Sequence, residues 1–228
     1  MAKDNRIFFS DAADLVLNFC MDNDLGFRAS KQALSGIIKL DNIRLAPVTG
    51  LVAWNCYNPG VYQKFPELFV AFEDFPATQV EPNQTKPMQA KLWCTKDPWV
   101  YNGAKTKQAI EALLRKQAQF PVQPNNEITN GQVEILGRIF TQAIINEDNE
   151  RCNEFPFMTF DNNLDRDFED FLDQCPVDPV YIRYYFGYSD GEQSNKIRVI
   201  LVPVNAQGVN IELNKNGSDI FLLERTFP

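Results

Sequence analysis

Two periods of apolar residues alternate along the chain. After Ser10, the residues Ala12, Leu15, Val16 and Phe19 recur at helical spacing, and Asp11 and Asp14 suit the positive end of a helix dipole. "KQALSGIIKL", preceded by Ser30 as a cap, sets Leu34, Ile37 and Ile38 on one side and predicts a short second helix, with Gly36 its weak point. "GLVAWNCYNPG" and "PELFVAFEDF" are β-rich runs about a turn signal at Asn58, Pro59 and Gly60, and predict a hairpin. From Pro76 to Pro87 apolar periodicity lapses, which predicts a loop or arm; "MQAKLWC" then reads as a short strand. "TKQAIEALLRKQAQF" is the clearest amphipathic helix, with Ile110, Leu113, Leu114 and Ala118 on one face and Glu111 and Arg115 at supportive spacing.

The Pro- and Asn-rich stretch from Pro121 to Gly131 interrupts that helix and is the expected boundary between two halves, 1–120 and 132–228, unless the two form one continuous domain. Beyond it the order repeats. "QVEILGRIFTQAIIN" reads as a helix through Val133, Leu136, Ile139, Phe140 and Ala143, and "DNNLDRDFEDFLDQC" as another with Leu164, Phe168, Phe171 and Leu172 inward. "YIRYYFGYSDGEQSNKIRVILVPVN" then reads as a hairpin. The turns align Tyr57 with Tyr188 and Gly60 with Gly191, and the returning strands align Val70 with Val199. The expected fold is α+β: two degenerate helix-helix-β-hairpin repeats, with mainly antiparallel sheet and helices packed on it.

Composition narrows the function. The chain has 228 residues, 44% of them hydrophobic, enough for one sizeable core or two modest ones. A formal charge of −8 opposes nucleic-acid backbones and anionic membrane surfaces, which call for basic patches. Asp11 and Asp14 break the first apolar run before signal-peptide length, and no stretch reaches a membrane span, so the expected location is cytoplasmic. There is no histidine, hence no Ser-His-Asp or Cys-His nucleophile pair and no H-E-x-x-H helix. Cys20, Cys56, Cys94, Cys152 and Cys175 form no C-x-x-C pair and are expected as reduced thiols. Glycine-rich phosphate loops and S-x-x-K are absent, and no cofactor is expected.

Candidate chemistry is correspondingly thin. Asp161, Asn163, Asp165 and Asp167 alternate like the start of an EF-hand loop, but Arg166 stands where the loop needs glycine and Leu172 where it needs glutamate, so no metal is expected. Glu73 and Asp74 form a carboxylate pair only if a cleft lies above them, and edge protection is the simpler account. Trp54, Trp93 and Trp99, with Tyr57 and Tyr62, either line a pocket or pack in the core; packing is expected.

On the first strand of the second hairpin, alternation sends Val180, Ile182, Tyr184, Phe186 and Tyr188 to one face and Tyr181, Arg183 and Tyr185 to the other. On its partner, Ile197, Val199 and Leu201 oppose Arg198, Ile200 and Val202. Neither face is polar, so the sheet is expected to be covered twice, by helices on one side and by the sister unit or a partner on the other. Tyr181, Arg183, Tyr185 and Arg198, with Trp54 and Tyr57 on the first hairpin, are the candidate binding residues if a face stays open; cross-strand packing is the expected outcome.

The segment "IRYYFGY", the turn "SDG" and "IRVILVPVNAQG" resemble a recurrent hairpin in a group of small bacterial proteins to which no activity is assigned. The resemblance covers about Tyr181 to Gly208 and implies a hairpin without implying a function. The expected function is a non-catalytic binding or protein-interaction module whose partner is another protein or its own copy. The alternative is a small-metabolite enzyme using carboxylate, lysine or tyrosine groups in a cleft between the repeats.

Overall fold

The computed structural model describes residues 6–21, 33–43, 49–59, 68–76, 86–95, 99–115, 122, 124–143, 157–160, 167–191, 194–215 and 218–223. Along them run β1 (Arg6–Phe8), α1 (Phe9–Met21), β2 (Ala33–Lys39), α2 (Leu40–Ile43), β3 (Thr49–Tyr57), β4 (Leu68–Pro76), β5 (Lys91–Thr95), β6 (Trp99–Val100) and α3 (Lys107–Arg115). The remainder forms β7 (Asn125–Thr129), α4 (Asn130–Ala143), β8 (Phe157–Phe160), α5 (Asp167–Asp173), β9 (Tyr181–Gly191), β10 (Ser194–Val204), β11 (Asn214–Lys215) and β12 (Ser218–Leu223). Both predicted hairpins form, as β3–β4 and β9–β10. Helices α1, α3, α4 and α5 bury the stripes read from their periodicity, including Val16, Ile110, Leu136 and Phe171.

Two predicted elements differ. The segment expected as a second helix is the strand β2, and only Leu40–Ile43 turns into helix. Its Leu34, Ser35, Gly36, Ile37 and Ile38 are all buried, so a strand covered on both faces imitated a helical stripe. The expected boundary stretch contains β7, whose Ile128 is buried and whose backbone pairs with β5. Leu164 and the first three residues of the EF-hand-like run lie outside the described residues, as does Tyr62.

Among the described residues all strand pairs are antiparallel, in two sheets. One has the order β1-β12-β10-β9-β2-β6, with β11 on β12; the other is β7-β5-β4-β3-β8. Alternation orders the layers. Leu51, Ala53, Leu68, Val70 and Phe72 of the second sheet share one core with Ile182, Tyr184 and Phe186 of the first, and the Phe72 and Tyr184 rings lie 5.7 Å apart. The opposite face of the second sheet, with Val52, Trp54, Phe69, Ala71 and Leu92, is covered by Val133 and Leu136 of α4. The opposite face of the first sheet is covered by α1 and α3. Gly187 permits this approach, since a Cβ there would stand 3.0 Å from Leu15 Cβ. The layers are therefore helices, sheet, sheet, helix.

The sheets are joined edge to face. Thr95 Oγ1 accepts the Ile37 N–H at 2.8 Å and donates to Ile37 O at 3.0 Å, while Asn125 Nδ2 donates to the same carbonyl and Asn125 Oδ1 accepts the Lys39 N–H. Side chains of β5 and β7 thus satisfy β2 backbone groups beyond the end of β6, which would otherwise be costly to bury.

The duplication is intertwined. Each half runs strand, helix, strand, helix and then a strand meander, and α1 follows β1 as directly as α4 follows β7. In each sheet the meander comes from one half, while the first and second strands of the other half flank it. Matching the ends of β1 and β7 places Lys91, opposite Thr129, on Ile220, opposite Phe8. Carried along the ladders, this puts Phe72 on Leu201 and Ala53 on Tyr184, and so Trp54 on Tyr185, Asn55 on Phe186 and Tyr57 on Tyr188. The Tyr57–Tyr188 and Val70–Val199 alignments read from sequence are the same equivalences.

Candidate functional site

Half of the candidate binding residues are not at the surface. Arg183 is 2% exposed and Tyr185 and Trp54 are fully buried, whereas Tyr181, Arg198 and Tyr57 keep part of their surface. The face carrying Arg183 and Tyr185 is under α3, because two apolar faces of one sheet were each worth covering. Packing, the expected outcome, is what this face displays.

Arg183 becomes the centre of a buried polar cluster. Its Nη1 donates to Asn210 Oδ1 and its Nη2 to Gly208 O at 3.1 Å. Asn210 Nδ2 donates to Leu114 O at 2.8 Å and to the Tyr185 hydroxyl at 3.2 Å. Leu114 O is one of the last carbonyls of α3, so the amide caps a helix terminus and sets the guanidinium near the negative end of its dipole. Gly208 supports this with φ of 79°, closing a turn in which Asn205 Oδ1 accepts the N–H groups of Gln207 and Val209. Burial pushes the Tyr185 phenol up. Asn210 and Gly208 went unread in sequence because a lone Asn beyond a strand resembles any turn residue.

On the second sheet, Glu73 is 2% exposed and is not half of an exposed carboxylate pair. Its Oε1 accepts the Trp54 indole N–H at 2.8 Å, and its Oε2 accepts the backbone N–H groups of Met88 and Gln89 at 3.1 and 2.8 Å. A buried carboxylate is tolerated when donors converge on it. Glu73 ties the residues before β5 to the sheet, and Trp54 positions it.

Partly exposed aromatics meet at the β6 edge of the first sheet. Trp99 of β6 and Tyr101 meet edge to face at 5.3 Å, and the Tyr101 hydroxyl donates to Ala104 O at 2.8 Å. Cys20, at the end of α1, faces Tyr101 and Lys105; burial pushes its thiol up to about 11, against a smaller opposing pull from the Lys105 ammonium. Met21 beside it is 55% exposed. Trp93, like Trp99 and Tyr57, packs partly buried against the core.

Among the described residues no group of three or more His, Cys, Asp or Glu side chains is placed to hold a metal ion, and no helix is long and apolar enough to cross a membrane. Compared with family models, curated proteins and solved structures, the chain matches none.

Proposed function

We propose that the protein is a non-catalytic module that binds another protein through the Trp99 and Tyr101 rings and the neighbouring end of α1 that carries Met21. The supporting observation is a pair of partly exposed, mutually packed aromatic rings, Trp99 and Tyr101, at the β6 edge of the first sheet, with Cys20 of α1 facing Tyr101 and its sequence neighbour Met21 55% exposed. Aromatic and methionine side chains held in place by their own neighbours are the usual anchors of protein interfaces. By contrast, the ionisable groups Arg183 and Glu73 are engaged in internal hydrogen bonds that position α3 and the β5 approach.

Site-specific photo-crosslinking in cells tests the reading. A crosslinker at Met21 should yield a discrete adduct of defined mass, lost when Trp99→Ala is added. The same crosslinker at exposed Gln108 of α3 serves as control. Equal adducts from both positions, or none from Met21, would sink the proposal.

A further inference from the structure

Asn55 is fully buried on the inter-sheet face of β3, and neither atom of its amide has a hydrogen-bond partner. A buried amide without partners is uncommon in folded proteins and calls for a physical reason. The architecture does not demand it. The position equivalent to Asn55 in the sister sheet is Phe186, which stacks on Phe19 of α1 at 5.4 Å. By the same equivalence Phe19 corresponds to Phe140 of α4, buried in the shared core. In one half, then, a phenyl ring fills this place; in the other a smaller amide does.

A second polar group reaches the same spot. Tyr184 is fully buried, and its hydroxyl comes up beside the Val70 backbone and the Thr95 side chain without a well-formed hydrogen bond to either. Val70 stands directly opposite Asn55 in the β3–β4 ladder, and Thr95 continues the row on β5. The amide and the phenol therefore both border Val70, the first from the β3 side and the second from the β5 side, where the Thr95 hydroxyl also lies.

We infer that this inter-sheet space over Val70 is a binding site for one small neutral hydroxylic molecule, bridging the Asn55 amide and the Tyr184 hydroxyl. An amide offers donors and an acceptor, and a phenol offers one of each; a hydroxyl, which donates and accepts at once, complements both. Charge is excluded because an ion among these apolar walls would need a counter-charge. A bridging molecule with two or more polar partners meets the usual condition for internal water, and a short alcohol shares that chemistry while adding apolar contact in place of the missing ring.

Side-chain amide NMR of the full-length, isotope-labelled protein tests this. With water as the source, the Asn55 NH2 protons show a cross-peak to long-lived water in buffer alone. With a short alcohol as the source, added ethanol gives a cross-peak from its methylene protons to the same amide and displaces the water signal. Tyr184→Phe, which leaves Asn55 intact, should abolish or sharply weaken either cross-peak. In a cycle with Asn55→Leu, the double variant should depart several-fold from the product of the two single effects on the unfolding constant. An Asn55 amide with neither cross-peak overturns the inference, and so does a cross-peak that Tyr184→Phe leaves unchanged.

Discussion

A methyl group added at Gly36 would run into Thr95 Oγ1 and the Tyr184 hydroxyl and ring. The obstruction is a rigid ring and a hydroxyl already committed to the Ile37 backbone, so neither can swing aside cheaply. Gly36→Ala should cost about 1–3 kcal/mol, read from urea denaturation midpoints, and a neutral result would mean that the sheets are less closely apposed than described. The thiols supply a second prediction at this scale. Burial pushes Cys94 up to about 12 and Cys56 well above its usual value, whereas an unfolded thiol ionises near 9.0. The folded state therefore keeps protons that the unfolded state releases. Their contribution is complete below pH 9 and is lost as pH rises from there towards the folded values, by about 1.4 kcal/mol per pH unit for each such thiol. Midpoints at pH 8 and pH 10.5 should fall less in Cys94→Ala than in the wild type. Arg183 marks the limit of reading single residues: alternation assigned its face correctly, but its burial depends on Asn210 and Gly208, which reach it only after the turn past β10.

Elements with one apolar face were legible because one period satisfies them. The stripes of α1, α3 and α4 each have a single reading. Strand β2 has two. Leu34, Ile37 and Ile38 fit a helix, yet the backbone of Gly36 and Ile38 pairs with Tyr184 and Ile182 of β9, a partner far away in sequence. Strand β7 was hidden by flanking prolines, and β1 by its three residues. What holds β2 at the flank facing β5 and β7 is side-chain chemistry from the other sheet. Thr95→Val keeps the shape but strands the Ile37 N–H, and should cost about 1–3 kcal/mol, with faster amide exchange at Ile37. Unchanged exchange there would show that Thr95 contributes no protection. At the other flank β2 pairs with β9 only as far as Tyr185, and Asn18 of α1 donates to Tyr188 O beyond that point.

At the scale of the molecule, each half completes the other's sheet: β1 and β2 flank the β9, β10 and β12 meander, and β7 and β8 flank β3, β4 and β5. Separating the halves would expose strand edges and split both cores, so unfolding should be a single transition, with fluorescence and circular dichroism midpoints coinciding. A protease cut between Arg115 and Asn125 should leave both fragments co-eluting in native gel filtration and parting only in denaturant; fragments that separate without denaturant would contradict the interlocked arrangement. The sequence by itself determined the α+β class, the amphipathic helices, both hairpins and the register of the duplication, because these rest on local period and turn chemistry. Tertiary structure decided that the halves exchange strands, that β2 and β7 are strands, and that the charged groups of Arg183 and Glu73 are buried. Those outcomes depend on which surfaces meet, and a partner distant along the chain leaves no periodic trace in the residues it covers.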